Sequence, residues 1–118
     1  SITMEESLEK ALEFANFSAT LNTQKTILKN KYKDNCALYF KGGKFTVSMT
    51  LFSFVSNLLS HNVKATVIVD DNDTPIQIDD VQEFFDLVKN KYATANNIYL
   101  NEYKKLTSQR SIEGLVDE

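Results

Sequence analysis

Asp79–Arg110, DDVQEFFDLVKNKYATANNIYLNEYKKLTSQR, decides the fold. Phe85, Tyr92, Tyr99 and Leu106 recur every seven residues, and Val81, Val88 and Ala95 stand four residues ahead of the first three. This spacing predicts one long amphipathic helix with a single apolar stripe. At 1.5 Å per residue it would be roughly 45 Å long, longer than a small domain is wide. The rest of the chain must cover the stripe or leave some of it for a partner. Asp80-Val-Gln-Glu83 reads as a capping box that launches the helix. Asp79 and Asp80 also suit the exposed amides and the dipole of its first turn.

Two β-hairpins precede it. Ala65–Val69 and Pro75–Ile78 are short, β-branched runs on either side of the polar turn Asp70–Thr74. Pro75 cannot donate a ladder hydrogen bond, so it belongs at an edge. Ala37–Phe40 and Phe45–Ser48 flank Lys41-Gly-Gly-Lys44, whose paired glycines supply the positive φ of a tight turn. Phe45, Val47 and Met49 should share one face. Between the hairpins Thr50 caps a helix over Leu51–Ser60, with Leu51, Phe54, Val55, Leu58 and Leu59 inward and His61-Asn62 at its end.

At the N-terminus, Thr3-Met-Glu-Glu6 fits another capping box, and Leu8, Ala11, Leu12 and Ala15 fall on one helical face flanked by Phe14 and Phe17. Leu21, Leu28 and Tyr32 continue a helical pattern to Asp34. Ser18 can cap a new start, which gives two N-terminal helices, over about 4–16 and onward from 18. The expected class is therefore α+β: N-terminal helices, then two hairpin–helix units forming a small four-stranded antiparallel sheet, ending in the long amphipathic helix. One domain fits the 118 residues, with a helical segment over 1–34, hairpin–helix–hairpin over 35–78, the long helix over 79–110 and a tail over 111–118 broken at Gly114.

Composition bounds the function. A hydrophobic content of 42% is that of a folded globular chain, and no run approaches the length of a membrane span. The lone Cys36 excludes an internal disulfide and reads as a small core residue, which places the chain in a reducing cytoplasm. The net charge of −3 is unevenly spread. Residues 25–44 carry six lysines against Asp34, whereas residues 70–86 carry seven acids and no base. Twelve of the 13 basic residues are Lys, which argues against bidentate, sequence-specific reading of nucleic acid.

No catalytic set emerges. Asp70-Asp-Asn-Asp73 lacks the Gly and Glu of a calcium loop from either start and reads as a polar turn. His61 with Cys36 falls short of a zinc set and of a nucleophile pair. Asp70, Asp71, Asp73 and His61 around a metal would be the best enzyme reading, and their spacing matches no known site. Lys41-Gly-Gly-Lys44 lacks P-loop spacing. No enzyme activity, metal or cofactor is expected.

Gly43-Lys-Phe-Thr-Val47, Val69-Asp70…Thr74-Pro-Ile-Gln-Ile78, Phe84, and Tyr92…Asn97…Tyr99…Tyr103-Lys-Lys-Leu106…Arg110-Ser111 together resemble small uncharacterised proteins of T-even-like tailed bacteriophages. The resemblance spans most of residues 20–116 and implies a viral structural, assembly or accessory role, in the host cytoplasm or the virion. It implies no functional residue. The expectation is a non-enzymatic protein acting through protein contacts of the long helix and tail, at Tyr99, Tyr103, Leu106, Ile112 and Leu115, with a second copy of the chain as partner and no membrane. The alternative is a single-stranded nucleic-acid-binding accessory protein. It would use Lys25, Lys29, Lys31 and Lys33, with Tyr32, Tyr39 and Phe40 stacking on bases.

Overall fold

The computed structural model describes residues 3–117, with side chains described as far as residue 109. The class is α+β. The elements are α1 (Met4–Asn35), β1 (Ala37–Phe40), β2 (Gly43–Thr46), α2 (Met49–Ser60), β3 (Thr66–Val69), β4 (Pro75–Ile78) and α3 (Val81–Asp117). The chain forms two compact units, one of Tyr32–Ile98 and one of Ser1–Lys31 with Tyr99–Glu118.

In the first of these units the hairpins stay separate. β1 pairs with β2 and β3 with β4, each antiparallel, as two two-stranded sheets rather than the single four-stranded sheet expected from sequence. The reason lies at Lys44, where the edge of β2 meets a turn instead of a strand. Its N–H donates to the Asp70 carboxylate at 2.9 Å, and its carbonyl accepts from the Asp71 N–H at 2.9 Å. Thr46 Oγ1 adds a hydrogen bond to Asp71 Oδ2. With these edge groups satisfied, no third strand is needed there.

The first turn also differs from its expected form. Its two central residues are Lys41 and Gly42, with φ of 49° and 80°, the pattern of a type I′ hairpin. Gly43 already belongs to β2, and space explains it instead. A Cβ there would lie 2.7 Å from Ile76 Cγ1.

Phe45, Val47, Val55, Ile76, Ile78, Val81, Phe84, Val88, Ala95 and Cys36 form the buried core. Cys36 is thus the small core residue its isolation in the sequence suggested. Phe84 is wholly buried, edge-on to Phe40 at 5.3 Å and to Phe45 at 5.1 Å between ring centroids. α2 starts at Met49, earlier than expected, because Ser48 and not Thr50 accepts from the Leu51 N–H. Its interior also differs from the expected set. Phe52 turns inward, onto Phe85 and Tyr92, while Phe54 and Met49 are exposed. On α3 the deepest line is Val81, Phe84, Val88 and Ala95, whereas Phe85 and Tyr92 are half-buried along its side. The capping Asp80 accepts from Glu83 N–H as expected. α3 runs on through Gly114 to Asp117, so the tail expected beyond Arg110 is helical.

α1 is one helix, not two. Its N-terminal box closes in both directions, Glu6 N–H onto Thr3 Oγ1 and Thr3 N–H onto Glu6 Oε2. Ser18 does not interrupt it, because no Gly or Pro stops propagation and each added residue gains a backbone hydrogen bond. Ala19→Pro separates the two cases. After a cap at Ser18, proline at the first helical position would be welcome. Inside a continuous helix it costs about 3 kcal/mol and frees the turns before it. Far-UV circular dichroism should show the helical signal of α1 falling in the variant.

Candidate interaction surface

In the unit made of residues 1–31 and 99–118, α1 faces α3 along a seam. Lys31 Nζ lies 2.5 Å from Glu102 Oε1, and Lys25 Nζ sits 5.6 Å above the Tyr103 ring. Phe17, Leu21, Gln24, Lys25 and Leu28 are half-buried on that side, at the three- and four-residue spacing of one helical face. On α3, Tyr99 and Leu106 are half-buried too, and Tyr103 is 37% exposed, edge-on to Tyr99. The N-terminal helix therefore lies along the long helix, and Tyr99 and Leu106 do not form the open patch anticipated from spacing. Ile112 and Leu115 lie outside the residues whose side chains are described.

On α1, large apolar side chains are open to water. Met4, Leu8 and Leu12 are 83%, 65% and 61% exposed, and Ala11 and Ala15 beside them are also exposed. At 100° per residue this stripe lies about 140° around the helix from the seam. Phe14, on the seam side, is 72% exposed as well, and every residue from 3 to 16 is open, so α1 is half-buried only from Phe17 onward. The register of Leu8, Leu12 and Ala15 does not continue into that of Leu21 and Leu28.

Comparison with models of protein families, with curated proteins and with solved structures returns no match. The function therefore rests on this chain's own surfaces.

The basic segment is partly spent on internal contacts. Lys25 and Lys31 face α3, and Lys41 pairs with Asp79 at 3.0 Å. Lys29 and Lys33 are exposed. Tyr32 donates to Asn96 Oδ1 at 2.6 Å, and Phe40 packs on Phe84, so these two rings turn inward while Tyr39 stays exposed. Bases could not stack along the whole set.

The acidic turn is structural. Asp70 is 7% exposed, and its carboxylate accepts from the N–H groups of Lys44, Asn72 and Thr74. These bonds, Lys44 first and then Thr74, hold it below the ordinary carboxylate range. Asp79 is lowered as well, chiefly by the hydrogen bond from Lys41. His61 caps α2, with Nδ1 2.9 Å from the Asn57 carbonyl oxygen. Among the described residues no group of three His, Cys, Asp or Glu side chains is placed to hold a metal. A cleft of about 520 Å³ opens between Leu59, Val63, Lys64, Asp79 and Gln82. Asp79 on its wall is already held by Lys41 and Gln77. No described helix is long and apolar enough to cross a membrane.

Proposed function

We propose that this chain is a non-enzymatic interaction protein that docks other proteins on its helical unit, in keeping with a structural or assembly role of the kind the tailed-phage resemblance implies. The observation that carries this reading is the exposure of Leu8 and Leu12 on a helix that is capped and regular through them. A leucine gains roughly 1.5–3 kcal/mol when it is taken out of water, so an outward pair at helical spacing is a ready anchor for a partner. Single-stranded nucleic-acid binding is the weaker reading, because Lys25, Lys31 and Lys41 already have internal partners and Tyr32 and Phe40 face inward.

Light scattering and affinity capture from the native source test the proposal, with wild type set beside Leu8→Asp/Leu12→Asp. The wild type should self-associate or retain a defined protein. The variant should lose that association while keeping the wild-type melting temperature, since both leucines are already in water. A wild type that stays monomeric and retains nothing would remove the reading.

A further inference from the structure

We infer that the outer face of α1 is a docking site for a basic amphipathic helix of another protein. This rests on the interaction reading above and names the chemistry of the partner. The apolar stripe through Leu8 and Leu12 has an acidic ridge along one side. Glu5, Glu9 and Glu13 follow one another at four-residue spacing on α1, and all three are exposed. At 100° per residue, the ridge begins about 20° beyond Leu12. Glu6, in the first turn, closes the capping box with Thr3. Lys10 is the one basic residue in this stretch of the helix, and it points about 160° from Leu12, toward the seam side.

A partner that covers the leucines must lay its own flank along the carboxylates. Lysine or arginine on that flank turns desolvation of the ridge into charge-assisted contact, whereas acidic or phosphate-bearing surfaces are repelled. This disfavours nucleic acid and anionic membranes as occupants.

A second copy of the chain fits less well. Two antiparallel helices meeting at Leu8 and Leu12 bring like flanks together, so Glu9 of one copy would lie beside Glu9 of the other, and Glu5 of each beside Glu13 of the other. Sliding the copies apart to relieve this sets the leucines against Asn22 and Thr26, which are polar and exposed. Thr26 already donates its hydroxyl to the Asn22 carbonyl, so it offers a partner little more than a methyl group. A foreign helix with leucines at the contact and bases on one side satisfies both the stripe and the ridge in one register.

The experiment titrates the full chain with two labelled synthetic helices of equal leucine content, one with lysine and one with glutamate at every other position. The lysine peptide should bind saturably, and chemical-shift changes should map to residues 4–15. Its affinity should fall roughly tenfold in Glu5→Gln/Glu9→Gln/Glu13→Gln, fall again with added salt, and vanish in Leu8→Asp/Leu12→Asp. The glutamate peptide should not bind. Equal binding of both peptides, or shifts outside residues 4–15, would overturn the inference. Self-association of wild type that Leu8→Asp/Leu12→Asp abolishes would make a second copy the occupant. The inference would then fall while the interaction reading stands. A chain that neither self-associates, captures a protein nor binds either peptide would remove both.

Discussion

Phe84→Ala should cost about 3–5 kcal/mol of folding stability, the largest loss expected from a single core truncation in this chain. Phe84 is fully buried, and its ring is the one that both Phe40 of β1 and Phe45 of β2 meet edge-on. Truncation removes the burial of the ring, leaves a cavity, and takes a partner from two aromatic contacts at once. The hairpin β1–β2 has no third strand, so its attachment to α3 depends heavily on this ring. Small domains have only about 5–15 kcal/mol in total, so the variant should be marginal at room temperature. Urea unfolding followed by circular dichroism reads the effect as a drop in midpoint. Phe54→Ala is the matched control. Phe54 is 48% exposed on the outer side of α2, and its truncation should cost under about 1 kcal/mol. Equal losses in the two variants would mean that the core is not organised around Phe84.

The second large effect should come from Asp70→Asn. One Asp70 oxygen accepts from Lys44 N–H, and the other accepts from Asn72 and Thr74 N–H, at 2.8–2.9 Å. An amide has a single acceptor oxygen, so its NH₂ group must face at least one of these donors. A buried donor left without an acceptor is costly, and the bond to Lys44 is also what ties the second turn to the first hairpin. The melting temperature at neutral pH should fall by on the order of 5 °C or more.

The pH dependence gives a second signature. The folded state holds the Asp70 carboxylate below its ordinary value of 3.8, so the unfolded chain takes up the proton more readily. The stabilisation is therefore complete above that value and is lost as pH falls through the lower folded value. Wild type and Asp70→Asn should differ most at neutral pH and converge in strong acid. A gap that stayed constant with pH would show that the carboxylate's charge contributes nothing.

Elements whose signals are local were legible in the sequence. Thr3 with Glu6 and Asp80 before Val81 supplied their helix starts, since a cap depends on residues within one turn of itself. Short aromatic and β-branched runs located all four strands, although β2 begins at Gly43, two residues before the expected Phe45, and the isolation of Cys36 gave its burial. The candidate surface was legible only incompletely. Leu8, Ala11, Leu12 and Ala15 share a face by spacing alone, but spacing says nothing about which face a neighbour will take.

Tertiary structure decided the rest. Lys44 satisfies its edge groups on the Asp70 turn, and this keeps the hairpins as two separate sheets, a choice made between residues 26 positions apart. On α2 the interior took Phe52 rather than Phe54, because Phe85 and Tyr92 of α3 lie on that side. Lys31 meets Glu102, 71 positions away, where α1 lies along α3, and Tyr99 and Leu106 are half-covered there. Periodicity fixes that a helix has an apolar face. Whether that face is covered depends on how far along the helix another element reaches. α1 is half-buried from Phe17 onward, on the side of Leu21 and Leu28, while every residue from 3 to 16, Leu8 and Leu12 included, stays in water.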